Sequence, residues 1–96
     1  MYVLVTYDVV GADVTSARRL RRIAKVCTQY GQRVQLSVFK CLLEPAQYEA
    51  MKHELEKVID VSKDSLRFYI LGKNWHNRVE IIGVQNSYDP EDVLIL

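Results

Sequence analysis

Asp8 closes the run Tyr2-Val3-Leu4-Val5-Thr6-Tyr7-Asp8, which is otherwise dominated by β-branched, apolar and aromatic residues. An acid there places oxygen ligands at the end of a rigid strand, a suitable position for binding a hard divalent cation. Ten residues further on begins a cluster of five cations, Arg18, Arg19, Arg21, Arg22 and Lys25, with no acid among them. Such a cluster is what a phosphate-binding face requires. Together the two features point to a metal-binding carboxylate beside a polyanion track. Two readings of Asp8 stand side by side. In one, the carboxylate lies near a dimer two-fold and meets its mate from the second copy, where the two repel unless a divalent cation lies between them. Mg²⁺ suits that gap, and it would activate water and neutralise charge on a phosphodiester under in-line attack. In the other, Asp8 begins the following loop by accepting backbone hydrogen bonds.

The charge distribution matters more than the net charge of +1. From Val14 to Leu43 the cations Arg18, Arg19, Arg21, Arg22, Lys25, Arg33 and Lys40 face no carboxylate, whereas from Glu44 to Asp64 six acids outnumber three lysines. The chain is electrically polarised, one side basic and one acidic. A solvated helix face would ordinarily mix signs to gain pairs one turn apart, so an acid-free face favours phosphate contact by Arg18, Arg21, Arg22 and Lys25. Phosphate contacts set position and affinity and carry no sequence information.

The elements that must position these groups follow from hydrophobic periods. Tyr2 to Val9 is a strand with Val3, Val5 and Tyr7 on one face and Leu4, Thr6 and Asp8 on the other. Asp13 or Thr15 caps a helix that ends at Gly31 and buries Leu20 and Ile23, with Ala24, Cys27 and Tyr30 at helical spacing. That rotation sends Arg18, Arg21, Arg22 and Lys25 outward and leaves Arg19 on the flank nearer the sheet. Arg33 to Leu43 is extended, with Val34, Leu36 and Val38 alternating against Gln35, Ser37 and Phe39. It is long for one strand, which predicts a break near Gln35 to Ser37. Pro45 opens a second amphipathic helix through Tyr48, Met51, Leu55, Val58 and Ile59, and strands follow at Leu66 to Leu71 and Val79 to Val84.

The core order β-α-β-β-α-β defines an α+β, ferredoxin-like sandwich, both helices on one face of an antiparallel sheet. Its domain spans residues 1–84. An extra C-terminal strand is expected in the 85–96 tail, where Val93-Leu94-Ile95-Leu96 is apolar after Asp89-Pro90-Glu91-Asp92. A sheet covered on one face invites a homodimer that stacks the two uncovered faces, and the tail suits pairing with a sheet edge of the mate or another protein. With 96 residues, 49% hydrophobic and 26% charged, a second domain does not fit, and no apolar stretch reaches a membrane span. Cys27 and Cys41 read as small core residues, and with no CxxC and no signal peptide a cytoplasmic location is expected. His53 and His76 lack ligand-like spacing, and Trp75 reads as a loop anchor on the sheet, with base stacking the alternative. No aromatic pair on adjacent strands is evident in the pattern of an RNA-recognition sheet.

Nearly end to end, the chain resembles the CRISPR-associated protein 2 (Cas2) family. The marks are Tyr7-Asp8-Val9, the Arg-rich first helix, Tyr30-Gly31-Gln32-Arg33-Val34-Gln35-Leu36-Ser37-Val38-Phe39, and Asp64-Ser65-Leu66-Arg67 leading to Leu71-Gly72. The Arg-Val-Gln-x-Ser-Val-Phe run is the specific signal among them. The resemblance implies a homodimer in which Asp8 of both chains binds a shared Mg²⁺, and a metal-dependent endonuclease acting on single-stranded RNA or double-stranded DNA. Tyr7, Asp8, Arg19, Arg33, Ser37 and Phe39 match the family's positions for cleavage. Where many members carry an acid after the Ser-Val-Phe run, this chain has Lys40. The resemblance also implies a non-catalytic role in spacer acquisition, in which the dimer bridges two dimers of the CRISPR integrase, the Cas1-type subunit, and holds DNA across its basic surface.

Overall fold

The computed structural model describes residues 1–11, 13–72 and 79–84. Its elements run β1 (Tyr2–Val9), α1 (Val14–Tyr30), β2 (Gly31–Gln35), β3 (Val38–Leu42), α2 (Pro45–Glu56), β4 (Asp64–Leu71) and β5 (Val79–Gly83). One sheet joins all five strands in the order β2-β3-β1-β4-β5, and every neighbouring pair is antiparallel. The first four strands and two helices make the ferredoxin-like sandwich expected from the periods, with β5 added beside β4. Trp75, His76, most of the turn after Gly72 and the 85–96 tail lie outside the described residues.

Alternation along the strands sorts the side chains. Val3, Val5 and Tyr7 share one face with Phe39, Cys41, Leu66, Phe68 and Ile70, and there they meet Ile23 and Cys27 of α1 and Tyr48, Met51 and Leu55 of α2. Phe39 and Phe68 are fully buried in this core, each worth roughly 1.5–3 kcal/mol in removal from water. The other face gathers a smaller cluster, Leu4, Val38 and Tyr69, with Val79 against it. Both cysteines are free and buried, as their apolar settings predict.

The ends of α1 explain two local choices in the sequence. Asp13 is the N-cap, its carboxylate accepting from the Ser16 amide at 2.7 Å and the Thr15 hydroxyl at 2.8 Å. Gly31 ends the helix in extended backbone, φ −161° and ψ −167°. Glycine is required there by space, because a Cβ would collide with the Lys40 carbonyl and the Cys41 Sγ as β2 turns back along β3.

Two expectations are corrected. Leu20 is 39% exposed, not buried: the seam of α1 runs through Ser16, Ile23 and Cys27. Ser16 donates to the Val10 carbonyl at 3.1 Å and Arg19 pairs with Asp64 of β4, so this polar stretch takes the sheet-facing position and moves Leu20 to the rim. Val34 and Leu36 likewise do not share a strand face with Val38. A register shift between Arg33 and Gln35 and a turn at Leu36-Ser37 divide the segment, leaving Val34 and Leu36 in solvent and Val38 buried. The break falls where strand length requires it.

Candidate active site

Asp8 lies one residue inside the end of β1, opposite Ser65 of β4. Its side chain is exposed, and the carboxylate makes no hydrogen bond or ion pair among the described residues. The loop-starting role, in which the carboxylate accepts backbone amides, is therefore not seen. Asp8 instead stands where two cavities meet. One, of about 260 Å³, is polar and is lined by Thr6, Tyr7, Asp8, Ser37, Ser65 and Arg67. The other, of about 310 Å³, opens toward α1 and brings in Leu20, Arg21, Arg33 and Leu36.

Tyr7 builds the wall common to both. Its amide donates to the Ser37 carbonyl at 3.1 Å and its hydroxyl to the Leu36 carbonyl at 3.2 Å, so β1 carries the β2–β3 turn on its end. Its ring stacks on Phe39 with centroids 6.1 Å apart, and the Arg33 guanidinium lies 5.1 Å from the centre of the Phe39 ring. Tyr7 and Phe39 sit on the adjacent strands β1 and β3. Both are buried on the helix-covered face, which excludes them as a platform for bases.

Tyr7, Asp8, Arg33 and Ser37 thus converge on one site, with Phe39 beneath it supporting Arg33. Arg19 is placed otherwise. Its Nε donates to Asp64 Oδ2 at 2.8 Å and its Nη2 to Asp64 Oδ1 at 3.3 Å, and it lines neither cavity. The hydrogen bond that Arg19 donates to Asp64 raises the Arg19 pKa. Arg18, Arg21, Arg22 and Lys25 are exposed on α1 and make no ion pair among the described residues; Arg21 alone reaches the site.

The family model described as CRISPR associated protein Cas2 matches residues 1–79. The chain belongs to the Cas2 family. A Nitratidesulfovibrio vulgaris protein named CRISPR-associated endoribonuclease Cas2 is 56% identical over 96 residues, covering 100% of this chain and 94% of that protein. A Halalkalibacterium halodurans protein named CRISPR-associated endonuclease Cas2 is 50% identical over 95 residues, covering 99% of each. Among solved structures, Streptococcus pyogenes Cas2 at pH 6.5 matches with a TM-score of 0.72 and 54% identity, over 86% of this chain and 100% of that one.

Within this Cas2 fold, periodicity missed three residues at or behind the site. Asp64 is fully buried, paired with Arg19 and accepting the Asp60 amide at 2.9 Å. Its partner is 45 residues away in sequence, so local spacing carries no sign of the pair. Ser65 and Arg67 alternate on the same face as Asp8, and their signal was the strand pattern from Asp64 onward, which begins β4 two residues earlier than expected. The Ser65 Oγ is buried without a hydrogen-bond partner.

That donor set bears on a metal. No group of three His, Cys, Asp or Glu gathers among the described residues. One exposed carboxylate and an unsatisfied hydroxyl in a polar cavity fit a hydrated hard cation, since Mg²⁺ keeps several waters and takes one or two carboxylates. No helix among the described residues is long and apolar enough to cross a membrane.

Proposed function

We propose that this chain is a Mg²⁺-dependent endonuclease of CRISPR spacer acquisition, hydrolysing phosphodiesters of single-stranded RNA or double-stranded DNA as a cytoplasmic homodimer. The observation that carries the reading is the Asp8 carboxylate, exposed, unbonded among the described residues, and set where a polar cavity meets a cationic one. The names of the two relatives, endoribonuclease and endonuclease, support it. Asp8 would hold the ion, jointly with the partner copy's equivalent carboxylate. Bound there, Mg²⁺ supplies charge neutralisation at the phosphate and acidifies a water.

The chain's own residues do the positioning. Arg33, fixed over Phe39, and Arg21 offer guanidinium groups to the phosphate, and Arg fits phosphate bidentately. Tyr7 and Ser37 hold the turn against the end of β1, so that Arg33 and Asp8 keep their relation. Arg19 acts through Asp64, keeping the start of β4 against α1. Arg18, Arg22 and Lys25 extend the cationic surface along α1.

A second reading has its own observation. With four exposed cations on one helix that form no ion pair among the described residues, and Asp8 the one carboxylate lining the two cavities, the molecule would also serve as a non-catalytic subunit gripping DNA between integrase dimers. Hydrolysis of labelled single-stranded RNA and double-stranded DNA by wild type and Asp8→Ala, with Mg²⁺ titrated against EDTA, separates the two. Metal-dependent cleavage that disappears in Asp8→Ala while duplex binding persists establishes the nuclease. Absent cleavage, or equal cleavage by both proteins, leaves the architectural subunit as the function.

A further inference from the structure

The cleft between α1, β1 and the β2–β3 turn keeps large apolar side chains in water: Leu20 is 39% exposed and Leu36 80%. Helical periodicity predicts burial for Leu20, so the fold leaves it uncovered at a position that ordinarily packs. Arg21 and Arg33 line the same cleft, and neither forms an ion pair among the described residues. Apolar surface alone would accept many ligands. Apolar surface between two guanidinium groups, which outnumber the one carboxylate, Asp8, lining the same cleft and are continuous with an acid-free helix face, selects one that is anionic at its edges and flat and apolar in its middle. An unpaired nucleotide has that form, a base flanked by phosphates. A base inside a duplex does not, because its faces are already stacked and its edge is paired.

We propose that this cleft receives an unpaired base of single-stranded nucleic acid against Leu20 and Leu36, with Arg21 and Arg33 on the adjoining phosphates. The inference rests on the nucleic-acid part of the proposed function and not on cleavage. It makes the site discriminate by strandedness: α1's outer cations hold either form, and the cleft adds affinity only for a strand with a free base.

The full-length protein is titrated in EDTA with a single-stranded RNA carrying one 2-aminopurine, and separately with a DNA duplex of equal length. The 2-aminopurine emission is expected to change on binding wild type. Leu20→Ser with Leu36→Ser, both at solvent-exposed positions, should weaken single-strand binding about tenfold, the scale of one lost base contact, and leave duplex binding unchanged. Leu36→Trp should tighten single-strand binding and quench the probe by stacking. Circular dichroism verifies the fold of each variant. Equal losses on both ligands, or unaltered single-strand affinity together with no quenching by Leu36→Trp, would overturn the assignment. Wild type that binds duplex and not single strand overturns the cleft alone. Wild type that binds neither overturns the nucleic-acid reading itself, and the hydrolysis result with Asp8→Ala bears only on catalysis.

Discussion

Asp8 and Asp64 stand on neighbouring strands, yet their surroundings give them opposite duties. Asp8 is exposed and unbonded among the described residues, free to take an ion; Asp64 is fully buried and committed to Arg19 and the Asp60 amide. Removing the Asp64 carboxylate leaves the Arg19 guanidinium without its acceptor in a partly buried position, so Asp64→Ala is expected to cost about 2 kcal/mol in urea unfolding. Asp64→Asn should cost less, because the amide oxygen still accepts one bond. A shift in midpoint no larger than that of an exposed Asp→Ala change would show the pair to be dispensable. Of these two acids only Asp8 was legible in the sequence, since a carboxylate closing an apolar alternation is conspicuous. Asp64 looked like one more acid in an acidic stretch, and its burial is a tertiary fact. The cysteines were legible in the same local way. Burial pushes the Cys27 thiol up to about 12 and Cys41 to about 11, so both remain protonated and poorly nucleophilic at neutral pH. Ellman's reagent should react with neither thiol in the native protein and with both after denaturation; fast native reaction would contradict the packing.

At the scale of elements, α1 shows how far a period carries. Its start, its end and its cationic face follow from Asp13, Gly31 and the spacing of Arg18, Arg22 and Lys25. Its rotation does not, because Arg19 and Ser16 take places facing the sheet through partners on other elements, and periodicity counts only apolar residues. Capping makes α1 pH-sensitive. Hydrogen bonds from the Ser16 amide first, then Thr15, hold the Asp13 carboxyl down to about 2 against an ordinary 3.8. A depressed folded-state pKa stabilises above the unfolded value, and that contribution is lost as pH falls toward the folded one. The wild type should therefore lose its stability advantage over Asp13→Asn, which caps without titrating, as pH is lowered from about 4 to about 2. Thermal melts of both proteins across that range check it, and a constant gap would contradict the cap's charge. The outer face of α1 answers to salt instead. If Arg18 and Arg22 each neutralise one phosphate, replacing both with Gln should weaken duplex binding and reduce the slope of log K against log salt by about 1.8. An unchanged slope would place the duplex elsewhere on the protein.

At the scale of the whole molecule, the helices among the described residues cover one face of the sheet only. Both helices pack on the Val5–Phe39–Phe68 side, while the other side carries Leu4, Val38 and Tyr69, flanked by the exposed Tyr2, Leu42 and Leu71. Neighbours in register across the middle of that side, Lys40, Leu4 and Tyr69, join the apolar patch to a cation that lies 5.0 Å over the Tyr2 ring. The Lys40 charge is thereby turned onto an aromatic face. The proposed homodimer stacks two such sides, which brings the two strand ends bearing Asp8 into one assembly and sets a second carboxylate beside the first. Leu42 lies on that side and is 64% exposed in the single chain, so Leu42→Glu introduces a charge into the interface without touching either core cluster. Two such charges, one from each copy, would be desolvated together on association. The variant should sediment as a monomer at concentrations where wild type is dimeric, retain its helical circular dichroism, and lose metal-dependent hydrolysis along with dimerisation. A monomeric Leu42→Glu protein with undiminished hydrolysis would place a complete active site within one chain and remove the need for paired Asp8 carboxylates.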